Sequence, residues 1–246
     1  MDYFALGGIL IQEKEIGALI AAHRAFTAKW NVTAPLHSTR IRGRRGAFAW
    51  LGKNGSQEKE FLRDLETMIL ALPMIGIACV IDRPGYVARY AERYGKPWML
   101  CKTAFAILVE RAAKHASRCG TRLEIYFEQS GEQEDRDIQS YALALEKEGM
   151  PFDAASSGAY NGLRPVDFKA IIIGQPKRIT KKVPMMQVAD LVLYPMAKGG
   201  YDPDYRPYTK LMAAARIIDA QLKPEECPNL GVKYSCFDQK KMKARK

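Results

Sequence analysis

Several signatures that would settle an activity are missing from this 246-residue chain. There is no GxxxxGK phosphate loop, no HExxH and no GxSxG, and Gly7–Gly8 lacks the spacing of a dinucleotide fingerprint. Histidine is scarce, and His23, His37 and His115 stand singly. The five cysteines are an odd number with no CxxC pair, which argues against a disulfide framework and a structural zinc site and fits a reducing cytoplasm. The longest apolar run, residues 68–81, is broken by Pro73 and Gly76 and is too short to span a bilayer. Residues 3–11 are apolar, but Asp2 precedes them and no basic residue does, unlike a secretory leader. A cytoplasmic protein with no membrane partner is expected.

What is present is ordinary globular material with a strong charge imbalance. Hydrophobic residues make up 48% and charged residues 26%, which excludes wholesale disorder. The net charge of +11 favours anionic partners, nucleic acid first. Lys240, Lys241, Lys243, Arg245 and Lys246 form a basic tail of the kind that is often only solvated. Two internal clusters are held by flanking structure: Arg40, Arg42, Arg44 and Arg45, and Lys177, Arg178, Lys181 and Lys182.

The apolar pattern alternates strands and helices. Strands are expected at residues 3–11, 75–81, 122–128 and 168–173. Helices are expected at 13–30, 61–72, 86–117 with a break near Gly95, 132–148, 184–198 and 210–222. Residues 35–46 read as a loop or short strand. The fold class is α/β, with helices around one mixed sheet, as a single domain over residues 1–223 and an irregular basic tail over 224–246.

Acids recur at similar places in this pattern. Asp82 ends one buried strand and Glu128 ends another, while Asp190 interrupts an apolar helix face between Val188 and Leu191–Val192. An isolated carboxylate in such surroundings is costly unless it is paired or binds a metal. Acids from two strand ends and one helix make a hard oxygen site suited to Mg²⁺ or Mn²⁺, and two such ions can activate water against a phosphodiester. Each acid also has a plainer role open to it. Asp82 precedes Arg83–Pro84–Gly85 and suits a helix cap. Glu128 precedes a turn. Gln187 and Tyr194 lie three and four residues from Asp190 and could satisfy it.

These residues make the chain recognisable. It resembles the bacterial family catalogued as domain of unknown function 3800, whose members look like ribonuclease H-fold proteins. The matching pieces are Phe4–Ala5–Leu6–Gly7–Gly8, Leu36–His37–Ser38–Thr39–Arg40–Ile41–Arg42 and Val80–Ile81–Asp82. Phe127–Glu128 with Gly131, Glu134 and Asp135 follows, and then Gln187–Val188–Ala189–Asp190–Leu191. The resemblance implies a mixed central sheet flanked by helices and a nuclease-type acidic centre. Glu128 and Asp190 would be metal ligands, with Asp82 a third. His37 would position water or a phosphate, and Ser38 and Arg40 would bind the backbone. Family members usually open with a strand bearing Asp-Glu-Ser-Gly before the Phe4 segment. Here Met1 falls after that point, so the sheet is expected to lack its first strand. Pro35 also stands where the family often has an acid.

Two functional readings result. In the first the chain is a Mg²⁺- or Mn²⁺-dependent nuclease acting on DNA or RNA. Glu128, Asp190, Asp82 and His37 would do the chemistry, and Arg40, Arg42, Lys177 and Arg178 would neutralise flanking phosphates. In the second it is a non-catalytic nucleic-acid-binding or protein-interaction module on the same fold.

Overall fold

The computed structural model describes residues 2–94, 99–152 and 162–237, with the backbone alone for 90–94. Strand β1 (Tyr3–Leu10) pairs antiparallel with β2 (Ile75–Asp82), in register from Tyr3 opposite Asp82 to Leu10 opposite Ile75. The other edge of β2 takes β5 (Lys233–Ser235) in parallel, giving the order β1-β2-β5. A second sheet pairs β3 (Tyr126–Glu128) in parallel with β4 (Lys177–Ile179). The class is mixed α/β, as the sequence pattern predicts.

Helices cover both faces of the larger sheet. On one face, Ala5 and Ile9 of β1 and Ala78 and Val80 of β2 pack with Val188, Val192 and Met196 of α8 (Pro184–Gly199). On the other, Phe4, Leu6, Cys79 and Ile81 pack with Ala104 and Ile107 of α5 (Leu100–Arg118). The period-2 alternation of a strand sends neighbouring side chains to opposite layers. Gly7 permits the close approach of α8. A Cβ there would lie 2.7 Å from the Ile77 carbonyl oxygen and 2.8 Å from Leu193 Cδ1.

A lateral cluster joins α1 (Ile16–Lys29) to α3 (Gly55–Ala71) through Phe26, Phe48, Phe61 and Leu65. Phe61 is fully buried, with the rings of Phe26, Trp30 and Trp50 all within 5.5 Å of it. Asn54 caps α3, its side-chain oxygen accepting from the Ser56 and Gln57 amides at 3.1 and 3.3 Å. Arg111 of α5, 2% exposed, donates to the carbonyls of Pro228 (2.6 Å) and Gly231 and so fastens α10 (Cys227–Leu230) and the approach to β5.

Several expectations need correction. Residues 168–173 are not a strand. Pro165 opens helix α7 (Pro165–Ile171), and the Asp167 carboxylate accepts the Arg164 amide at 2.9 Å. Only Ile172 keeps a strand-like bridge, to Leu123. A short buried apolar run does not distinguish strand from helix by periodicity. Residues 35–46 contain the helix α2 (Ser38–Arg42). The late helix starts earlier than expected, as α9 (Arg206–Ala213), and stops before Ala215, whose φ of 54° is left-handed. The expected break near Gly95 lies outside the described residues, between α4 (Arg83–Tyr94) and α5. The domain boundary at residue 223 is also corrected, because α10 and β5 belong to the fold. The basic residues Lys240 to Lys246 lie outside the described residues.

Candidate functional site

The site begins with two helices lying side by side. On α8, Asp190 and Tyr194 are one turn apart and share a face. On α2, Ser38 and Arg42 do the same. At the first level the Ser38 amide donates to Asp190 Oδ2 at 2.7 Å, and His37 Nδ1 lies 3.3 Å from the same oxygen. At the second level the Arg42 guanidinium stacks on the Tyr194 ring, its carbon 3.4 Å from the centroid.

The pairing of these helices is fixed from below. Gln187, one turn before Asp190 and buried, accepts the Leu36 amide and faces His23 Nε2, both at 2.8 Å. Its own amide donates to the Lys182 carbonyl at 3.2 Å. A buried amide that satisfies three elements at once sets their register. Burial holds the His23 imidazole below its ordinary range, opposed by its hydrogen bond to Gln187 Oε1.

Glu128 reaches this centre through a lysine. Lys181 Nζ lies 2.9 Å from Glu128 Oε2 and 3.3 Å from Asp190 Oδ1. The two carboxylates, 62 positions apart in sequence, therefore converge on one cationic point. That is inside the ~8 Å spanned by ligands of shared ions. Lys181 belongs to a basic cluster visible in the sequence, but nothing in its spacing marks it as the bridge.

Asp82 is placed differently. Its Oδ2 accepts the Gly85 amide at 3.0 Å at the start of α4, and its Oδ1 accepts the Tyr201 hydroxyl at 2.8 Å. The strand ending in Asp82 does not neighbour that of Glu128, since β2 and β3 lie in separate sheets. The capping role is the one observed, and Asp82 leaves the expected ligand set. Among the described residues no group of three or more His, Cys, Asp or Glu side chains is placed to hold an ion.

The expected phosphate-binding residues divide in two. Arg40 and Arg42 are exposed on α2, where Arg42 lies over Tyr194, one turn from Asp190. Lys177 and Arg178 sit on β4 and are engaged, Lys177 with Glu124 and Arg178 with Asp135 at 3.3 Å. The Ser130 amide and Arg178 hold the Asp135 carboxyl below its ordinary range despite some desolvation.

An aromatic run extends from the acidic centre. Tyr194 and Tyr205 meet at 89° with centroids 6.1 Å apart, and Lys198 Nζ lies 3.9 Å from the Tyr205 ring. Tyr3 stacks obliquely on Tyr201 at 5.2 Å, and Tyr201 on Phe237 at 4.8 Å. Burial raises the Tyr3 and Tyr205 hydroxyls, Tyr194 adds to the effect and Arg42 opposes it. The sequence after Gly199 reads as irregular and rich in Tyr, Pro and Asp. The helical i, i+4 spacing of Asp190 and Tyr194 is the signal that could have pointed to this surface.

Comparison with known proteins adds one relationship. The chain is 33% identical over 238 residues to "Uncharacterized protein y4pM" of Sinorhizobium fredii, spanning 96% of this chain and 85% of that protein. The chain belongs to the y4pM family. No family model and no solved structure matches it. Family membership joins the two proteins across nearly the whole of this chain, including the segments that carry His37, Arg42, Glu128, Lys181, Asp190 and Tyr194.

Proposed function

We propose that the chain is a nuclease of the domain of unknown function 3800 type, hydrolysing phosphodiesters of DNA or RNA at the Asp190 centre. The observation that carries this reading is the convergence of Glu128 and Asp190 on one cationic point beside His37, with the exposed Arg42 one helical turn away. Hard oxygen donors facing a common point fit one Mg²⁺ or Mn²⁺ once the Lys181 ammonium has moved aside. They do not make a site for two ions, because Asp82 is engaged elsewhere. Glu128 and Asp190 would hold the ion, and when bound it would polarise a phosphoryl oxygen.

The chain's own groups account for the rest. With Nδ1–H directed at Asp190, His37 would carry its lone pair on Nε2, which could take a proton from water. Arg40 and Arg42 neutralise flanking phosphates. Lys181, released from the acids, is a further cation for the developing charge.

The same reading treats the two sheets as parts of one ribonuclease H-like sheet whose first strand would lie between β1 and β3. In support, β1 is an edge strand of uncharged residues with both faces covered by helices. Leu6 and Ile125, beside β3, also pack against one cluster that includes Phe105 and Phe168. A second reading, a non-catalytic binding module, is favoured by Lys181 itself, which neutralises the acidic pair.

The test is cleavage of labelled DNA and RNA with Mg²⁺ or Mn²⁺, comparing the native chain with Asp190→Asn and Glu128→Gln. Cleavage lost in both variants supports the nuclease. Nucleic-acid binding with no metal-dependent cleavage selects the binding module.

A further inference from the structure

We propose that the face formed by Arg42, Tyr194 and Tyr205 is a stacking platform for single-stranded nucleic acid that leads into the Asp190 centre. The proposal deepens the nucleic-acid reading of this site and rests on it, but it concerns recognition rather than cleavage.

The first support is register. Ser38 meets Asp190, and one turn further along both helices Arg42 meets Tyr194. The stacked guanidinium is therefore displaced from the carboxylate by about one helical turn, ~5.4 Å. A base lying on it would carry its phosphate beside the acidic pair.

The second support is the state of Arg42. The guanidinium carbon lies over the Tyr194 ring, yet the residue is exposed, so part of the group is open to solvent. Its contacts among the described residues are Tyr194 and the Ser38 hydroxyl at 3.3 Å, not an acid. The charge is thus held against a ring and makes no ion pair among the described residues. Planar guanidinium faces and aromatic rings are the surfaces on which unpaired bases stack.

The third support is the neighbourhood. Tyr205 stands edge-on to Tyr194, half-buried, with Lys198 over its ring and Lys198 also 3.6 Å from Asp202. Arg40 adds exposed positive charge on the same short helix. Alternating cations and rings suit a flexible strand, which can turn each base to the face offered. A duplex keeps its bases stacked on one another and would offer this surface only phosphates.

The experiment is fluorescence anisotropy in EDTA, so that cleavage does not intervene. It uses a labelled single strand, its duplex, and an abasic strand of equal length and charge, each as DNA and as RNA where the chemistry allows. The single strand should bind at least about tenfold more tightly than the other two. Arg42→Lys keeps the charge but not the plane, and should weaken single-strand binding roughly tenfold while leaving abasic binding unchanged. Tyr194→Ser should act in the same direction, and Tyr194→Phe should retain native binding. Arg40→Gln should weaken all three probes alike. Melting curves identify any variant that fails to fold, and Arg42→Lys and Tyr194→Phe then still decide the matter. Equal binding of normal and abasic strands, an unchanged Arg42→Lys protein, or no binding of any probe overturns the platform. Selective single-strand binding without metal-dependent cleavage retains the platform and removes the nuclease.

Discussion

The Ser38 backbone amide and the Asp190 carboxylate meet at 2.7 Å across 152 positions of sequence. This contact ties a five-residue helix to the long helix that crosses the sheet, and it places His37 beside the acid and Arg42 on Tyr194, one turn away. Asp190 is therefore a structural hub as well as the candidate centre of the chemistry, and the two roles are separable by substitution.

Asp190→Ala should destabilise the fold by about 1–3 kcal/mol, because the Ser38 amide and Lys181 lose their common acceptor. Asp190→Asn keeps an acceptor oxygen and should be milder. Glu128→Ala removes an exposed partner of Lys181 and should change stability by less than about 1 kcal/mol. Urea unfolding of the three variants gives the ranking. Equal losses for Glu128→Ala and Asp190→Ala would show that Asp190 has no special place in the packing.

Gly7 and Gly8 are adjacent, yet they should respond differently. A Cβ on Gly7 meets the Ile77 carbonyl, Ala78 Cβ and Leu193 within 2.8 Å, whereas one on Gly8 meets nothing within 4 Å. Gly7→Ala should lower stability by about 1–3 kcal/mol through overpacking, and Gly8→Ala should stay within about 0.5 kcal/mol. Thermal melting distinguishes them, and similar midpoints would contradict the described approach of α8 to β1.

Acid should weaken the fold partly through His23. Burial lowers its folded pKa below the unfolded value of about 6.5, so the unfolded chain binds the proton more readily. The stabilisation is fully present above the unfolded value and is lost as pH falls through the folded one. His115, also lowered by burial and by Arg118, adds a similar dependence. Chemical unfolding at about pH 7.5 and about pH 5 should show a smaller difference for His23→Gln than for the native chain. An unchanged difference would assign the acid sensitivity to other groups.

The thiols should differ sharply in reactivity. Burial pushes Cys79 up to about 12, and the residue is fully enclosed, while Cys119 is exposed at the end of α5. A thiol-specific chromogenic reagent should modify Cys119 in the native protein and Cys79 only on unfolding. Cys119→Ser should therefore lower the count of fast-reacting thiols by one, and Cys79→Ser should leave it unchanged.

Long periodic segments were legible in the sequence. The stripe Phe61, Leu65 and Met68 of α3 and the apolar run of β2 both emerge where the pattern places them. Short elements were not, because Phe168 to Ile172 has too few residues to show a period and its helix is decided by Pro165 and the Asp167 cap. In the site, Asp190 stood out because a carboxylate interrupts an apolar face. Lys181 did not, since bridging two acids depends on a tertiary approach of β3 to α8 that no local pattern encodes. The same holds for Asp82, whose partner Tyr201 lies 119 positions away. Its cap to Gly85 could be read from the sequence, and its separation from Glu128 could not.

Arg111 gives the order of synthesis a structural meaning. The carbonyls that receive its buried guanidinium belong to Pro228 and Gly231, and the second partner of β2 begins only at Lys233. A ribosome makes the central strand and the arginine long before it makes either acceptor or β5. Until those last residues emerge, the nascent chain carries an open strand edge and a cation without its carbonyls, which is the kind of surface that chaperones hold. A nonsense codon between Arg111 and Pro228 would therefore yield a chain arrested in that unfinished state, not a shortened working protein.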